Sequence, residues 1–143
     1  MVSAVLALVG LLLSLYLTLW RFGFMGPLQC GTGGCEVVQT SVWASLSGVP
    51  VSAIGVVGYG GLLGVALWGL QGRWITRREP TLWLVALAGG GVAFTGWLTY
   101  LEAFVIEAWC RWCLASAAII LGIFAAGLAG WRGLRVPREV VEP

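Results

Sequence analysis

The stretch Cys110–Trp131, CRWCLASAAIILGIFAAGLAGW, decides the fold. Two thiols three residues apart stand at the mouth of a run that carries no charge after Arg111. About 20 mainly apolar residues are enough to cross the hydrocarbon core of a bilayer. A helix is the form such a run takes there, because it satisfies every backbone polar group internally. Outward from this stretch lie three more runs of the same kind: Ala4–Trp20 (AVLALVGLLLSLYLTLW), Val51–Leu70 (VSAIGVVGYGGLLGVALWGL) and Thr81–Tyr100 (TLWLVALAGGGVAFTGWLTY). Of the 143 residues, 59% are hydrophobic and 10% charged, with mean hydropathy +0.95. A water-soluble domain of this size cannot hide so much apolar side chain. The expected fold is an all-α integral membrane protein. It is a four-transmembrane-helix bundle, one membrane domain over 1–143, with spans at about 4–20, 51–70, 81–100 and 110–131. An outer redox loop at about 21–50 carries a short amphipathic helix.

Composition also excludes chemistry. The chain has no histidine, and its cations are all arginine. His-ligated haem, His-based zinc sites and Ser-His-Asp or Cys-His catalysis are ruled out. A net charge of +2 is too small to suggest nucleic acid as a partner. Chemistry falls to four cysteines, the glutamates, the arginines and the hydroxyls.

Arginine sets the expected orientation, since loops facing the cytoplasm carry the positive excess. Arg73, Arg77 and Arg78 lie between the second and third spans, and Arg132, Arg135 and Arg138 follow the fourth. The other side holds only Arg21 and Arg111. Both termini are therefore expected in the cytoplasm, and all four cysteines on the outer side of a bacterial inner (plasma) membrane. The first span lacks a basic leader and a cleavage site, so it is expected to be retained. Glycines stud the second and third spans, including Gly89–Gly91, and small residues let helices approach closely in lipid. The triple glycine is also compatible with a kink or an opening that admits a flat ligand.

In the outer loop, RFGFMGPLQCGTGGC (21–35) is rich in Gly and Pro. The following EVVQTSVWASLSGVP (36–50) reads as one short helix. Glu36 suits its positive N-terminal end, and Gly48 and Pro50 supply its stop. Val38, Val42 and Trp43 are expected to dip toward the bundle as a lid.

Four cysteines allow three pairings, and spacing favours 30–35 and 110–113. Residues three apart on a helix have Cβ atoms about 5–6 Å apart, and a disulfide needs Cα atoms within roughly 4.4–6.8 Å. Cys110 and Cys113 can thus open and close with small movement. A helix N-terminus stabilises a thiolate, and a disulfide whose reduced form is stabilised is a good oxidant. Cys30 and Cys35, spaced by Gly-Thr-Gly-Gly, form a mobile pair. Together they suggest a relay of thiol–disulfide exchanges. Three other readings compete: two inert structural disulfides, a four-thiolate metal site, and a thiol-based carrier of soft metal ions across the membrane. No metal site is the preferred expectation on an oxidising membrane face.

CGTGGCEVVQTSVWASLSGVPVSAIGVVGY (30–59), followed by WCRWC (109–113), resembles the vitamin K epoxide reductase family in its bacterial single-domain form. The resemblance covers nearly the whole chain. It rests on the loop pair, Ser41 six residues after Cys35, the Gly-x-Pro entering the second long helix, and the C-x-x-C of the fourth. It implies a four-helix bundle around a quinone (ubiquinone, menaquinone or a relative). The implied activity is oxidation of a separate periplasmic thioredoxin-like protein in support of disulfide-bond formation. Carried onto this chain, Cys30 exchanges with the partner, Cys35 shuttles to Cys110, and Cys113 faces the quinone. Ser41 hydrogen-bonds within the reactive site. The implied quinone-binding set is Cys113, Val38, Val42 and Ala117. Ala117 stands where animal members have a tyrosine, and Val51 where they have an asparagine. These departures speak against epoxide reduction and leave quinone reduction intact. Glu102 and Glu107, near the outer end of the third span, read as solvated interfacial carboxylates and are assigned no catalytic role; the competing reading is that one of them supplies protons as a quinone becomes a quinol.

Overall fold

The computed structural model describes residues 1–27, 34–73 and 77–135. Four long helices dominate: α1 (Val2–Arg21), α3 (Val51–Leu70), α4 (Glu79–Leu101) and α5 (Arg111–Arg135). A seven-residue helix, α2 (Gly34–Thr40), precedes α3, and a single π-turn, Glu102–Ile106, extends α4. Each long helix is long and apolar enough to span a bilayer, with the third span running through the π-turn from Glu79 to Ile106. The chain is a multi-pass helical membrane protein.

The long helices form a ring in which α1 packs on α3 and α5, and α4 on α3 and α5. One buried cluster ties them at mid-bundle through Ala7, Tyr59, Leu62, Leu84, Ala88, Ile120 and Ile123. Close approach depends on missing side chains. A Cβ on Gly10 would run into the Tyr59 ring, and one on Gly91 would lie 2.9 Å from Ile120. In lipid, where apolar side chains gain little by leaving their solvent, such contacts are what hold helices together. The Gly89–Gly91 run sits inside unbroken helix, so it does not kink α4. Gly89 and Gly91 lie against Phe124 and Ile120 of α5, whereas Gly90 faces open space.

The connection between α1 and α3 departs from the expected single helix over 36–50. Helix α2 ends at Thr40, and Ser41 is extended (φ −67°, ψ 160°) before a 3₁₀ turn at Val42–Ala44. Strands β1 (Ser45–Leu46) and β2 (Val49–Pro50) then pair antiparallel. Ser47 (φ 52°) and Gly48 (φ 86°) both have left-handed backbone. That pattern is a two-residue type I′ hairpin turn, which matches the twist of its strands. Gly48 therefore makes a hairpin, not a helix stop, and Pro50 caps α3. The extended Ser41 also breaks the helical phase. Val42, which a continuous helix would place one turn beyond Val38, is 85% exposed. Trp43 turns inward instead and packs edge-on against Trp97 of α4, with ring centroids 6.4 Å apart.

One end of the bundle gathers the C-terminus of α1, α2, the hairpin, the π-turn and the start of α5. The opposite end carries exposed Arg73, Arg77, Arg78 and Arg132.

Candidate functional site

Helix α5 begins just after Cys110. The Cys110 carbonyl accepts the Leu114 N–H at 3.0 Å, and its sulfur accepts the Cys113 N–H at 3.4 Å. Cys110 thus holds the N-cap position, with sulfur in the place of a Ser or Asp oxygen. The unpaired N–H groups there favour negative charge on the cap. Cys110 and Cys113 are both free thiols. A hydrogen bond from the Cys113 thiol draws Cys110 down to about 7 against the opposing cost of burial, with help from the Cys113 N–H and the Gln39 amide. The nearby Glu102 charge works the other way.

Cys35 lies on the first turn of α2, is fully buried and is disulfide-bonded. It shares one buried cluster with Leu17, Val38 and Cys110. Gly34 explains how α2 comes so close. A side chain there would collide with the backbone carbonyl of Trp109, the residue before Cys110. The structure thus brings Cys35, Cys110 and Cys113 to one end of the bundle. Cys30 lies outside the described residues.

Two further polar groups flank the thiols. The Gln39 amide of α2 donates toward Cys113 Sγ at 3.4 Å and lies 3.9 Å from Cys110 Sγ. Glu102 opens the π-turn, and its Oε2 accepts the Cys110 N–H at 3.3 Å. Its carboxyl also lies within electrostatic reach of Cys113, and the two residues line the same cavity. The expectation of a solvated Glu102 is wrong, because the residue is 2% exposed. The wider π-turn rotates the chain end inward, and Glu107, in left-handed backbone (φ 56°), then closes the turn and stays at the surface.

Beneath the thiols, a cavity of about 320 Å³ runs into the bundle. Cys113, Glu102, Gln39 and Trp43 line its loop end, and Leu13, Leu17, Phe94 and Leu98 its sides. Tyr59, Leu62 and Ile120 line its inner end. The Tyr59 hydroxyl donates to the Ser116 carbonyl at 2.9 Å and lies 2.8 Å from the Ser116 hydroxyl, tying α3 to α5. Gly58 and Gly90 border the cavity with no atom where a Cβ would point, and so widen it. Ser52 also lines it, and its hydroxyl is buried without a hydrogen-bond partner among the described residues.

Of the residues expected around a ligand, Val38 and Cys113 line this cavity, as does Ser41. The Ser41 hydroxyl donates to the Val38 carbonyl at 2.7 Å, so its proton serves the turn. Val42 and Ala117 do not line the cavity. Val42 is turned out by the break at Ser41. On α5 the lining face runs through Cys113, Ser116 and Ile120, and Ala117 falls beyond its edge at 100° per residue. Gln39 and Ser52 join the site without a sequence signal, and Glu102 joins it against the reading of a solvated carboxylate. An uncharged amide and a hydroxyl carry no motif. Glu102 does carry a signal, an ionisable side chain at a span's end, which is costly in a membrane unless it has work there. Compared with known families, residues 1–128 match the model of the vitamin K epoxide reductase family.

Proposed function

The chain belongs to the vitamin K epoxide reductase family and is a membrane thiol–disulfide oxidoreductase, and from that premise we propose that it oxidises a thioredoxin-like protein and passes the electrons to a membrane quinone. The observation that carries this reading is the position of Cys113. Its sulfur borders an apolar cavity within the bundle, while Cys110 beside it is buried in the same cluster as Cys35.

The cavity suits a quinone. Its volume of about 320 Å³ is within the range of small-molecule pockets, which are mostly apolar with a few placed polar groups. The orphan Ser52 hydroxyl supplies a free donor for a carbonyl oxygen. Ser52, Cys113 and the side chains of Leu13, Phe94 and Leu98 would hold the ring. A bound quinone supplies an acceptor for two electrons and two protons. Everything else falls to the chain. Cys30 exchanges with the partner and leaves the loop pair reduced, Cys35 then attacks Cys110 of a 110–113 disulfide and frees the Cys113 thiol, and Cys30 displaces Cys110 from the transient 35–110 bond to restore the loop disulfide and leave a reduced 110–113 pair for the quinone. Each step is attack of a thiolate on a sulfur, and Cys110, held as a thiolate near neutral pH, is a good leaving group when Cys30 displaces it. Gln39 donates to the sulfurs as charge passes between them. Trp43, packed on the Trp97 ring, borders the cavity at its loop end. The proposed compartment is the outer face of a bacterial inner membrane, with both termini in the cytoplasm.

The test uses purified protein in lipid nanodiscs with a reduced thioredoxin-like substrate and a soluble ubiquinone or menaquinone analogue. Wild type should consume quinone in step with substrate thiols, and Cys113→Ala should not. Non-reducing mass spectrometry of that variant should show a Cys35–Cys110 cross-link. Undiminished quinone consumption by Cys113→Ala would refute the route.

A further inference from the structure

Glu102 is the only buried carboxylate among the described residues. It sits where the cavity meets the thiols, and both it and Cys113 line that cavity. Its carboxyl faces the Cys110 N–H and the Cys113 thiol at once. Two proton acceptors therefore adjoin Cys113: the Cys110 sulfur, which takes the Cys113 N–H, and the Glu102 carboxylate, which takes the Cys110 N–H and borders the same cavity.

The other polar groups nearby are committed. Ser41 donates to Val38, Thr95 to Gly91, and Thr99 to Thr95, all at backbone carbonyls. Tyr59 is held by Ser116, and Gln39 offers the sulfurs an N–H, which cannot take up a proton. Ser52 is a hydroxyl, too weak an acid or base to carry a proton at neutral pH. Glu36, Glu107 and Arg111 are exposed. The titratable groups facing Glu102 are thus Cys110 and Cys113, with Tyr59 farther down the same cavity. Among the described residues, an apolar chamber that must accept protons together with electrons holds one group suited to the task.

We propose that Glu102 carries the proton of the inner dithiol: its carboxylate takes the Cys113 thiol proton as the 110–113 disulfide forms and releases it to the quinone oxygen in the cavity. This deepens the quinone-oxidase reading and rests on it. The balance is simple. A Cys110 thiolate and a Cys113 thiol lose two electrons as the S–S bond forms. The quinone gains those two electrons and two protons, one from Cys113 through Glu102 and one from water.

Glu102→Gln separates carriage from scaffolding, because the amide oxygen still accepts the Cys110 N–H yet takes up no proton. Pre-reduced protein is mixed with a soluble quinone in a single turnover between pH 6 and 9. Glu102→Gln should react about 100-fold more slowly than wild type near pH 7, the usual scale for a lost general base, and should recover as hydroxide rises. Formate should restore part of the rate to Glu102→Ala, and Glu102→Asp should keep most of it. A second readout needs no quinone. The infrared S–H stretch of Cys113, identified by its loss in Cys113→Ala, should move in Glu102→Gln toward the frequency of a weakly bonded thiol. Alkylation of Cys110 should be undiminished, since the variant removes a negative charge that opposes its thiolate. If Glu102→Gln and Glu102→Asp both match wild type in rate and pH profile, or the S–H band does not move, proton carriage is refuted while the quinone reading stands. If wild-type dithiol is not oxidised by quinone at all, both fall together.

Discussion

At the level of single residues, one hydrogen atom decides how near the two sulfur pairs can come. Gly34 has no side chain to strike the Trp109 carbonyl, so α2 seats Cys35 beside the segment that presents Cys110. Gly34→Ala should lift α2 away, with a cost of about 1–3 kcal/mol as for other overpacked contacts. The expected result is slower transfer from the loop pair with unchanged reaction of pre-reduced Cys110–Cys113 with quinone. Stopped-flow measurement of the two half-reactions checks this. The Cys110 thiol, drawn from 9.0 to about 7 chiefly by the Cys113 hydrogen bond, yields a pH prediction. Its thiolate is the minor form below pH 7 and the major form above it. Alkylation by iodoacetamide should therefore reach half its plateau near pH 7, and Gln39→Leu, which removes a donor, should move the midpoint upward. A midpoint above 8 in wild type would contradict the capped geometry. The thiols themselves were legible in the sequence, because C-x-x-C before an apolar run has few other uses. Gln39 was not, since its significance comes from a loop helix folding back, and Glu102 was legible only as an ionisable residue at a span's end, since the π-turn that buries it leaves no residue pattern.

At the level of elements, the long helices followed from hydropathy alone, and the expected spans differ from the observed ones by a few residues at most ends. The triple glycine was ambiguous in sequence for a physical reason. Its three positions point in different directions, two into α5 and one into the cavity. Gly90→Leu should therefore fit the helix without a clash and occupy ligand space. We expect at least a 10-fold rise in KM for quinone, which corresponds to a loss of about 1.4 kcal/mol of binding, and a thermal midpoint no lower than wild type, since Gly is a poor helix former. Equal KM values would mean that the ligand lies elsewhere. The loop could not be read as finely. Its apolar residues fit a helix, and only the left-handed pair Ser47–Gly48 and the extended Ser41 reveal a hairpin. A Ser-Gly turn has weaker sequence character than Asn-Gly.

For the molecule as a whole, the larger share of the arginines lies at the end opposite the redox chemistry. The described thiols lie at one end and Arg73, Arg77, Arg78 and Arg132 at the other. If arginine sets the topology, a fluorescent protein fused after the last residue should fluoresce in the cytoplasm, and alkaline phosphatase fused at the same point should be inactive. The reverse pair of results would invert the proposed orientation and put the thiols in a reducing compartment.

Cys35 and Gln39 ride on the same seven-residue helix. Any excursion of α2 that offers the loop disulfide to an outside protein also withdraws the amide from Cys113. Loading and discharge then alternate like the two strokes of a pump, and a soluble thiol has no continuous path to the lipid pool. Such a machine shows parallel lines in double-reciprocal plots when protein substrate and quinone are varied together. Lines that meet would mean that both substrates engage at the same moment.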